Sequence, residues 1–483
     1  MRIPLGKFGK LELIAFTSGF SLMAFELVGA RLLAPTIGSS TYVWTSVIGV
    51  IIAALSIGYF IGGKVADIRA RVGDVAFLCL ASAFAIGSML LLFDGIMSWV
   101  MLISPDLRLR GVFASLLLFA PTSLLLGMLS PYLVKLKVTS LALSGQSVAG
   151  LSASNSIGGI VGTFVTGFIV FSYIGSREAL VVLVFLMLGA SWVVQPKGNW
   201  RQRTILSVVA LFIVIVPLGV KTNVIRIDTP SSNYEIRTGY RNGDTTQPVR
   251  YLTTGPGGAQ SGIYTRHTND LPFWYTRQIV QLTAQVPNKQ NILILGGGAF
   301  TVPEYLARQY PKSNVDVVEI DPSLKKIAQQ YFDYQSLPNI TAIDGDARTY
   351  INTASKRYDV VIVDVYSDVS VPFSLLTKEY AEKLNGVLAN RGTVIINAIA
   401  AERGPCVQLL QAIDTTYRSI APHATISRES LDTRGQRGNL VLTYSKDTLP
   451  FMGASQLDAV GGAAYTDNYM PAERLQQTCQ EPV

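Results

Sequence analysis

The chain has 483 residues, 49% hydrophobic and only 15% charged, with three cysteines and two histidines. Its mean hydropathy is positive, unlike that of an ordinary soluble enzyme, and so few cysteines and histidines, with no CxxC pair, argue against a structural zinc site. The net charge of +8 is uneven: residues 1–221 carry +9 and residues 222–483 carry −1, which places the excess base in loops between apolar stretches and not on a nucleic-acid-binding face.

Arg2, Lys7 and Lys10 precede an apolar stretch at about 11–35. No small-residue cleavage site follows a short apolar core, so this stretch reads as a retained span and not as a signal peptide. Further candidate spans lie at about 42–63, 74–93, 111–134, 146–173, 179–195 and 203–220, giving about seven helices in a membrane domain over 1–221. The segment 95–104, GIMSWVMLIS, is too short to cross and is expected as a half-helix or interfacial piece. With the N-terminus inside, eleven Lys and Arg fall in inside loops and four outside. Seven crossings from that start put the C-terminal half outside. In FELVGARLLAP, Glu26 is a mid-helix carboxylate, costly in a bilayer and by default a functional position. The plainer reading is a polar lock between helices, with Arg31 reaching for the interface. Gly158 and Gly162, four apart, predict close helix packing, and Pro131 predicts a kink.

After Lys221 the composition changes. Short alternating runs over 225–265 predict a small antiparallel sheet, set as a β-domain at 222–270. An amphipathic helix follows at 273–286. Apolar runs at 291–295, 315–320 and 360–363 alternate with helical patterns, which predicts a parallel sheet. The first run leads into Gly296, Gly297 and Gly298, where a ligand can approach the backbone beyond the carboxyl ends of the strands. The second ends in Glu319 and Asp321, with Glu319 23 residues after Gly296, where an acid can accept from a ribose diol. Thr301 occupies the third glycine position of GxGxxG, which favours an adenosyl ligand without a pyrophosphate over a dinucleotide. Strands at 393–399 and 438–444 and helices at 377–389 and 405–420 complete a nucleoside-binding domain over 271–450, with a tail at 451–483.

Taken together, GGG, VEID, DGDAR and YDVVIVD in this order resemble the spermidine synthase family, the polyamine aminopropyltransferases. DGDARTYI with DVYSDVSVPFSLLTKEY resembles its membrane-fused form. The resemblance covers roughly 225–445 for the enzyme, and the N-terminal half for the fused form. It implies an α-helical membrane domain plus an α/β AdoMet-methyltransferase-like, Rossmann-like domain preceded by a small antiparallel β-domain. The implied activity is transfer of aminopropyl from decarboxylated AdoMet to a polyamine such as putrescine, with no metal.

The resemblance also implies roles. Asp364 is where the family places the acid that steers the amine and takes its proton. Asp368 resembles the second acid of that loop, although three residues separate the two where the family has two. Gly296, Gly297, Gly298 and Glu319 would bind the donor, Asp346 and Ala347 its adenine, and Pro372 would pack nearby. Gln260 and Tyr275 resemble residues lining the amine and donor pocket. Two positions depart from the family: Ala299 replaces the acid of GGGDG, and Thr276 stands where a His often follows the Tyr.

The implied partners are a small-molecule amine and the lipid bilayer, with no nucleic acid and a homo-oligomer left open. An AdoMet-type donor asks for a cytosolic catalytic half in the cell membrane, against the seven-span count; one more crossing involving 95–104 would reconcile them. Two other readings stay open. One is a methyltransferase using AdoMet itself, and the other is a transporter or sensor regulated by its nucleoside-binding domain.

Overall fold

The computed structural model describes all residues except 1–8, 39, 105, 139–143, 195–199, 220–223, 242–243, 256–257, 267–269, 367–370, 405–406, 430–436 and 478–483. The chain forms two compact units, Met1–Thr222 with Ile227–Asn233, and Asn223–Arg226 with Tyr234–Val483.

The first unit is helical. It contains α1 (Lys10–Ile37), α2 (Thr41–Ile68), α3 (Val72–Ile103), α4 (Leu107–Leu118) and α5 (Ala120–Lys137). Then come α6 (Ser144–Val165), a π-helical turn (Thr166–Val170), α7 (Phe171–Tyr173), α8 (Ser176–Val194) and α9 (Trp200–Gly219). Five of these helical stretches, α1, α2, α3, α6 with its π turn, and α8, are long and apolar enough to cross a membrane, and the α4–α5 pair, bent by 54°, makes up to six. The seventh expected span forms as the 20-residue α9, whose side chains from 214 on lie outside the described residues. Segment 95–104 is no separate half-helix: almost all of it is the end of the 32-residue α3, about 48 Å long at 1.5 Å per residue. A lone Gly95 costs a helix only about 1 kcal/mol and does not break it. The bend falls at Phe119–Pro121 and not at the expected Pro131, which lies inside α5. Pro121 has no N–H to give, and its ring crowds the carbonyl one turn back.

Glycines set the α1–α6 contact. A Cβ on Gly158 or Gly162 would collide with the backbone carbonyls of Phe16 or Phe20, so the close approach depends on small residues there. Arg31 does not pair with Glu26. Its Nε donates to Asn233 Oδ1 at 2.8 Å, its guanidinium lies 4.3 Å from the Phe171 ring centroid, and Asn233 Nδ2 donates back to Arg31 O at 3.0 Å. Arg31 therefore ties α1 both to the segment Ile227–Asn233 and to the short helix α7. Many large apolar side chains face outward on this unit, among them Phe60, Phe77, Leu102 and Phe168.

The second unit begins with a four-stranded sheet in the order β1 (Val224–Asp228), β2 (Asn233–Arg241), β3 (Asp244–Thr253), β4 (Ala259–Tyr264). The pairs β2–β3 and β3–β4 are antiparallel. After α10 (Trp274–Gln285) comes a run of alternating elements: β5 (Asn291–Leu295), α11 (Thr301–Gln309), β6 (Asn314–Glu319), α12 (Ser323–Tyr331), β7 (Ile340–Asp344), α13 (Ala347–Thr353) and β8 (Tyr358–Val363). A 3-10 turn (Phe373–Leu375), α14 (Lys378–Val387), β9 (Leu388–Ala400), α15 (Val407–Arg418), β10 (His423–Arg428), β11 (Gly438–Ser445), β12 (Ser455–Gln456) and α16 (Ala472–Gln477) complete it.

These strands form one eight-stranded sheet, ordered β12-β10-β11-β9-β8-β5-β6-β7. The stretch from β9 to β7 is parallel, and β10, β11 and β12 are antiparallel additions. Strands β5 and β8 are mostly apolar and buried, and β6 is buried from Val315 to Glu319, as strands covered on both faces must be. The strand order reverses between β5 and β8. Ligand crevices of open α/β sheets form beyond the carboxyl ends at such a point. The segment beyond 450 is no separate tail: β12 extends the sheet, and the Asp467 carboxylate accepts from Arg348 Nη2 and Thr377 Oγ1, each at 2.7 Å.

Candidate active site

The sheet registers bring four loops together. Leu295 pairs with both Val318 and Val363, and Glu319 pairs with Asp344. The glycine turn, Glu319, the Gly345–Asp346 loop and Asp364 therefore all leave the sheet at the carboxyl ends of adjacent strands. Asp364 N donates to Leu295 O, Gly296 N to Val318 O and Gly345 N to Glu319 O, all at 2.9 Å, so backbone bonds fix these exits.

Gly296 has φ +92° and a Cβ there would collide with the Asp364 carbonyl. Only glycine lets the first loop pass so close to the fourth. The turn is held from two further sides. Glu319 Oε2 accepts from Gly297 N at 2.7 Å and Gly298 N at 3.2 Å, and its Oε1 accepts from Asp321 N at 3.0 Å. Ser261 on β4, buried, accepts from Ala299 N through its Oγ at 3.0 Å. The sequence reading missed Ser261, and a lone serine in a strand gives no signal. Burial raises the proton affinity of Glu319 while the three backbone N–H groups oppose it, and the balance lies above the usual carboxylate range. Three of its four acceptor positions are used by the loop, so one on Oε1 remains for a ligand. Asp321 is turned away from the glycine loop, accepting from Ser323 N at 2.9 Å at the start of α12.

Asp346 is the N-cap of α13, its Oδ1 accepting from Thr349 N at 2.8 Å, and Ala347 behind it is buried. A cap needs only one oxygen. Gly345 beside it has nothing within 4 Å of a would-be Cβ, so this side of the loop is open.

Asp364 is part-buried beyond β8. Asn397 Nδ2 on β9 donates to its Oδ1 at 2.8 Å. Desolvation pushes the carboxyl up to about 6, with the Asn397 bond pulling the other way. Tyr275 and Tyr366 lie near enough that its charge, after burial, raises both phenols well above their ordinary range. Tyr275 Oη donates to the Gln260 carbonyl at 2.9 Å, which joins those two expected residues; the Gln260 side chain itself donates to Thr254 Oγ1. Tyr366 and Asn397 were not expected. A polar residue in the apolar run VIINAI was the available signal for Asn397, because buried strands rarely carry one without a partner.

Pro372 precedes the 3-10 turn and accepts from Leu375 N at 3.0 Å. Asp368 lies outside the described residues. Of the two departures, Thr276 donates its hydroxyl to Phe273 O at 2.8 Å in the first turn of α10, and Ala299 is buried under the glycine turn. No group of three or more His, Cys, Asp or Glu that could hold a metal occurs among the described residues.

The similarities to known proteins fall in this half. Residues 272–427 match the family described as the spermine/spermidine synthase domain. The chain is 33% identical over 193 residues to a polyamine aminopropyltransferase of Vibrio vulnificus (strain CMCP6), covering 39% of this chain and 60% of that protein. It is 31% identical over 141 residues to putrescine N-methyltransferase 2 of Nicotiana attenuata, covering 28% of this chain and 38% of that one. The chain thus spans less than two thirds of either relative's length. Among solved structures, a probable spermidine synthase from Corynebacterium glutamicum ATCC 13032 aligns with a TM-score of 0.42 and 22% identity, covering 49% of this chain and 95% of that one.

Proposed function

We propose that this chain, which carries a spermine/spermidine synthase domain over residues 272–427, is a membrane-bound aminopropyltransferase that acts on a small amine with decarboxylated AdoMet as donor. The observation that carries the reading is Asp364: a part-buried carboxylate at the switch point of the sheet, held near pH 6, with no cation bonded to it among the described residues. A carboxylate of that kind attracts a protonated amine and accepts its proton at neutral pH. Freed of that proton, the nitrogen attacks the carbon bound to the sulfonium; as the new N–C bond forms the sulfur–carbon bond breaks, its electron pair stays on the departing thioether sulfur, and the positive charge passes to the product nitrogen, which leaves as a secondary ammonium.

The residues present fit a thioadenosine group. Glu319 keeps one acceptor position for a ribose hydroxyl, and the longer of its loop bonds, from Gly298 at 3.2 Å, is the one to yield if both hydroxyls bind. Asp346 has its second oxygen for the adenine amine. Glu319→Ala removes both the ribose acceptor and the anchor of the glycine turn. Calorimetry with methylthioadenosine is expected to show binding to wild type and at least about tenfold weaker binding to the variant, one lost charge-assisted bond being worth about 1.5–3 kcal/mol. Tight NADH binding without methylthioadenosine binding would sink the reading.

A second reading keeps the same pocket and amine but uses AdoMet as a methyl donor. The likeness to a putrescine N-methyltransferase and the loss of the family's acid at Ala299 favour it. Radiolabelled decarboxylated AdoMet and AdoMet, each offered with the same panel of amines, separate the two readings by which label reaches the amine.

The membrane part of the proposal rests on five to six crossing-competent helices and on their outward apolar side chains. Six crossings return the chain to its starting side. A donor made in the cytosol favours such an even number of crossings, which keeps the second unit on the side of the N-terminus and of the eleven-to-four excess of positive charge. Lys312 is exposed on the second unit. In a variant with all cysteines replaced by serine, Lys312→Cys is expected to react with a membrane-impermeant maleimide only after cells are opened. Labelling of intact cells would place the catalytic half outside.

A further inference from the structure

We propose that Asn397, itself held by Asn439, is the positioning residue that orients the Asp364 carboxylate and stabilises its charged form. The proposal rests on the reading of Asp364 as the proton acceptor. Val363 pairs with Ile396, so the next residues along, Asp364 and Asn397, stand side by side at the strand ends. Asn397 is 4% exposed in an otherwise apolar stretch of β9, and its Nδ2 reaches Asp364 Oδ1 at 2.8 Å. Its own Oδ1 accepts from Asn439 Nδ2 at 2.9 Å. Asn439 lies on β11, two residues before the direct partner Val441, and therefore on the same face.

The chain of bonds has one sense. Asn439 donates to Asn397, so the Asn397 amino group must point at Asp364; a flipped amide would set one NH2 against another and aim its oxygen at a carboxylate. The backbone of Asn397 is fixed as well. Tyr366 Oη donates to Asn397 O and accepts from Ile399 N, both at 2.8 Å. Among the described residues no second hydrogen bond reaches the Asp364 carboxylate. The choice of an amide has a chemical consequence. A Lys or Arg in its place would cancel the charge that attracts a cationic amine, whereas an amide stabilises the carboxylate and leaves its charge in the pocket.

The test is the pH dependence of kcat/KM for wild type, Asn397→Leu, Asn439→Ala and Asp364→Asn, with one donor and one amine throughout so that the amine's own ionisation cancels. Loss of the Asn397 bond raises the carboxyl's proton affinity. The acid limb of Asn397→Leu is therefore expected to move up by about one pH unit, with activity about tenfold lower on the limb and converging towards wild type above it. Asn439→Ala moves the limb the same way by less, and KM for the amine stays within a few-fold in both. An acid limb at the wild-type pH in both variants, with a pH-independent loss at most, overturns the proposal while an inactive Asp364→Asn leaves the proton-acceptor reading standing. An active Asp364→Asn removes that reading and the proposal with it. Should Asn397→Leu fail to fold by thermal melt, Asn439→Ala decides on the same criterion.

Discussion

Asp364→Asn is expected to lower turnover about 100-fold or more, the usual range for loss of a general base, while methylthioadenosine binding stays within a few-fold of wild type. The substitution keeps the shape of the side chain and the backbone bond from Asp364 N to Leu295 O at 2.9 Å. It removes the negative charge and the proton acceptor. Glu319, the glycine turn and Asp346 are untouched, so the donor half of the pocket remains. The pH dependence follows from the same residue. The carboxyl is pushed up to about 6 by burial, and only its ionised form can take a proton. Wild-type kcat/KM should therefore fall tenfold per unit as pH drops below about 6, and be flat above it until another group titrates. Steady-state profiles with donor binding measured in parallel check both points. Wild-type turnover in Asp364→Asn would remove the assignment, and joint loss of donor binding would make Asp364 a donor-binding or structural residue.

Gly296→Ala is expected to abolish donor binding and to destabilise the second unit. At φ +92° a non-glycine residue is strained, at a cost of about 1–3 kcal/mol. The added Cβ also collides with the Asp364 carbonyl, and neither partner can move freely, because each exit is bonded into the sheet. The strain alone corresponds to a fall in melting temperature of about 2–12 °C for a domain of this size. The collision falls on the loop that carries Asp364, so activity should disappear even where the variant still folds. Thermal melts and methylthioadenosine calorimetry on the same preparation test this. Wild-type binding in a protein of unchanged melting temperature would mean that the turn is looser than its geometry indicates.

The position of Ala299 now has a physical setting. Its N–H is bonded to Ser261 Oγ and its side chain is 1% exposed. An acid at this point, as the family usually has, would need a route out of the packing under the turn. Thr276 is likewise committed inward, to Phe273 O. On the proposed reading, cation recognition therefore falls mainly to Asp364.

Much of the site was legible because its signals are local. A run of buried strand followed by glycines, a strand-end acid and a second acid at a strand end each state their conformation within a few residues. The strands expected at 291–295, 315–320 and 360–363 form within a residue or two of those limits. The helix expected at 273–286 forms as Trp274–Gln285. The apolar stretches of the first half likewise declared helices, because twenty consecutive apolar residues have few other ways to satisfy their backbone.

What remained hidden depends on pairing between distant segments. No feature of the sequence indicates that Glu319 uses both oxygens on the loop around it, because that follows from the β5–β6 register. Ser261 reaches Ala299 across 38 residues, and Asn397 reaches Asp364 across 33. The course of two of the helices was hidden for a related reason. Whether 95–104 is a separate piece, and where the span around Pro121 and Pro131 bends, depends on how each helix packs over its whole length; composition over ten residues does not decide it. The sequence by itself determined that an apolar helical half is joined to a nucleoside-type α/β half, and which acids stand at the strand ends. Tertiary structure alone decided how much of each acid is spent on the fold: both oxygens of Glu319, and one oxygen each of Asp346 and Asp364. Hydrogen-bond saturation is a property of the neighbours a residue meets in space, and the order of the chain does not contain it.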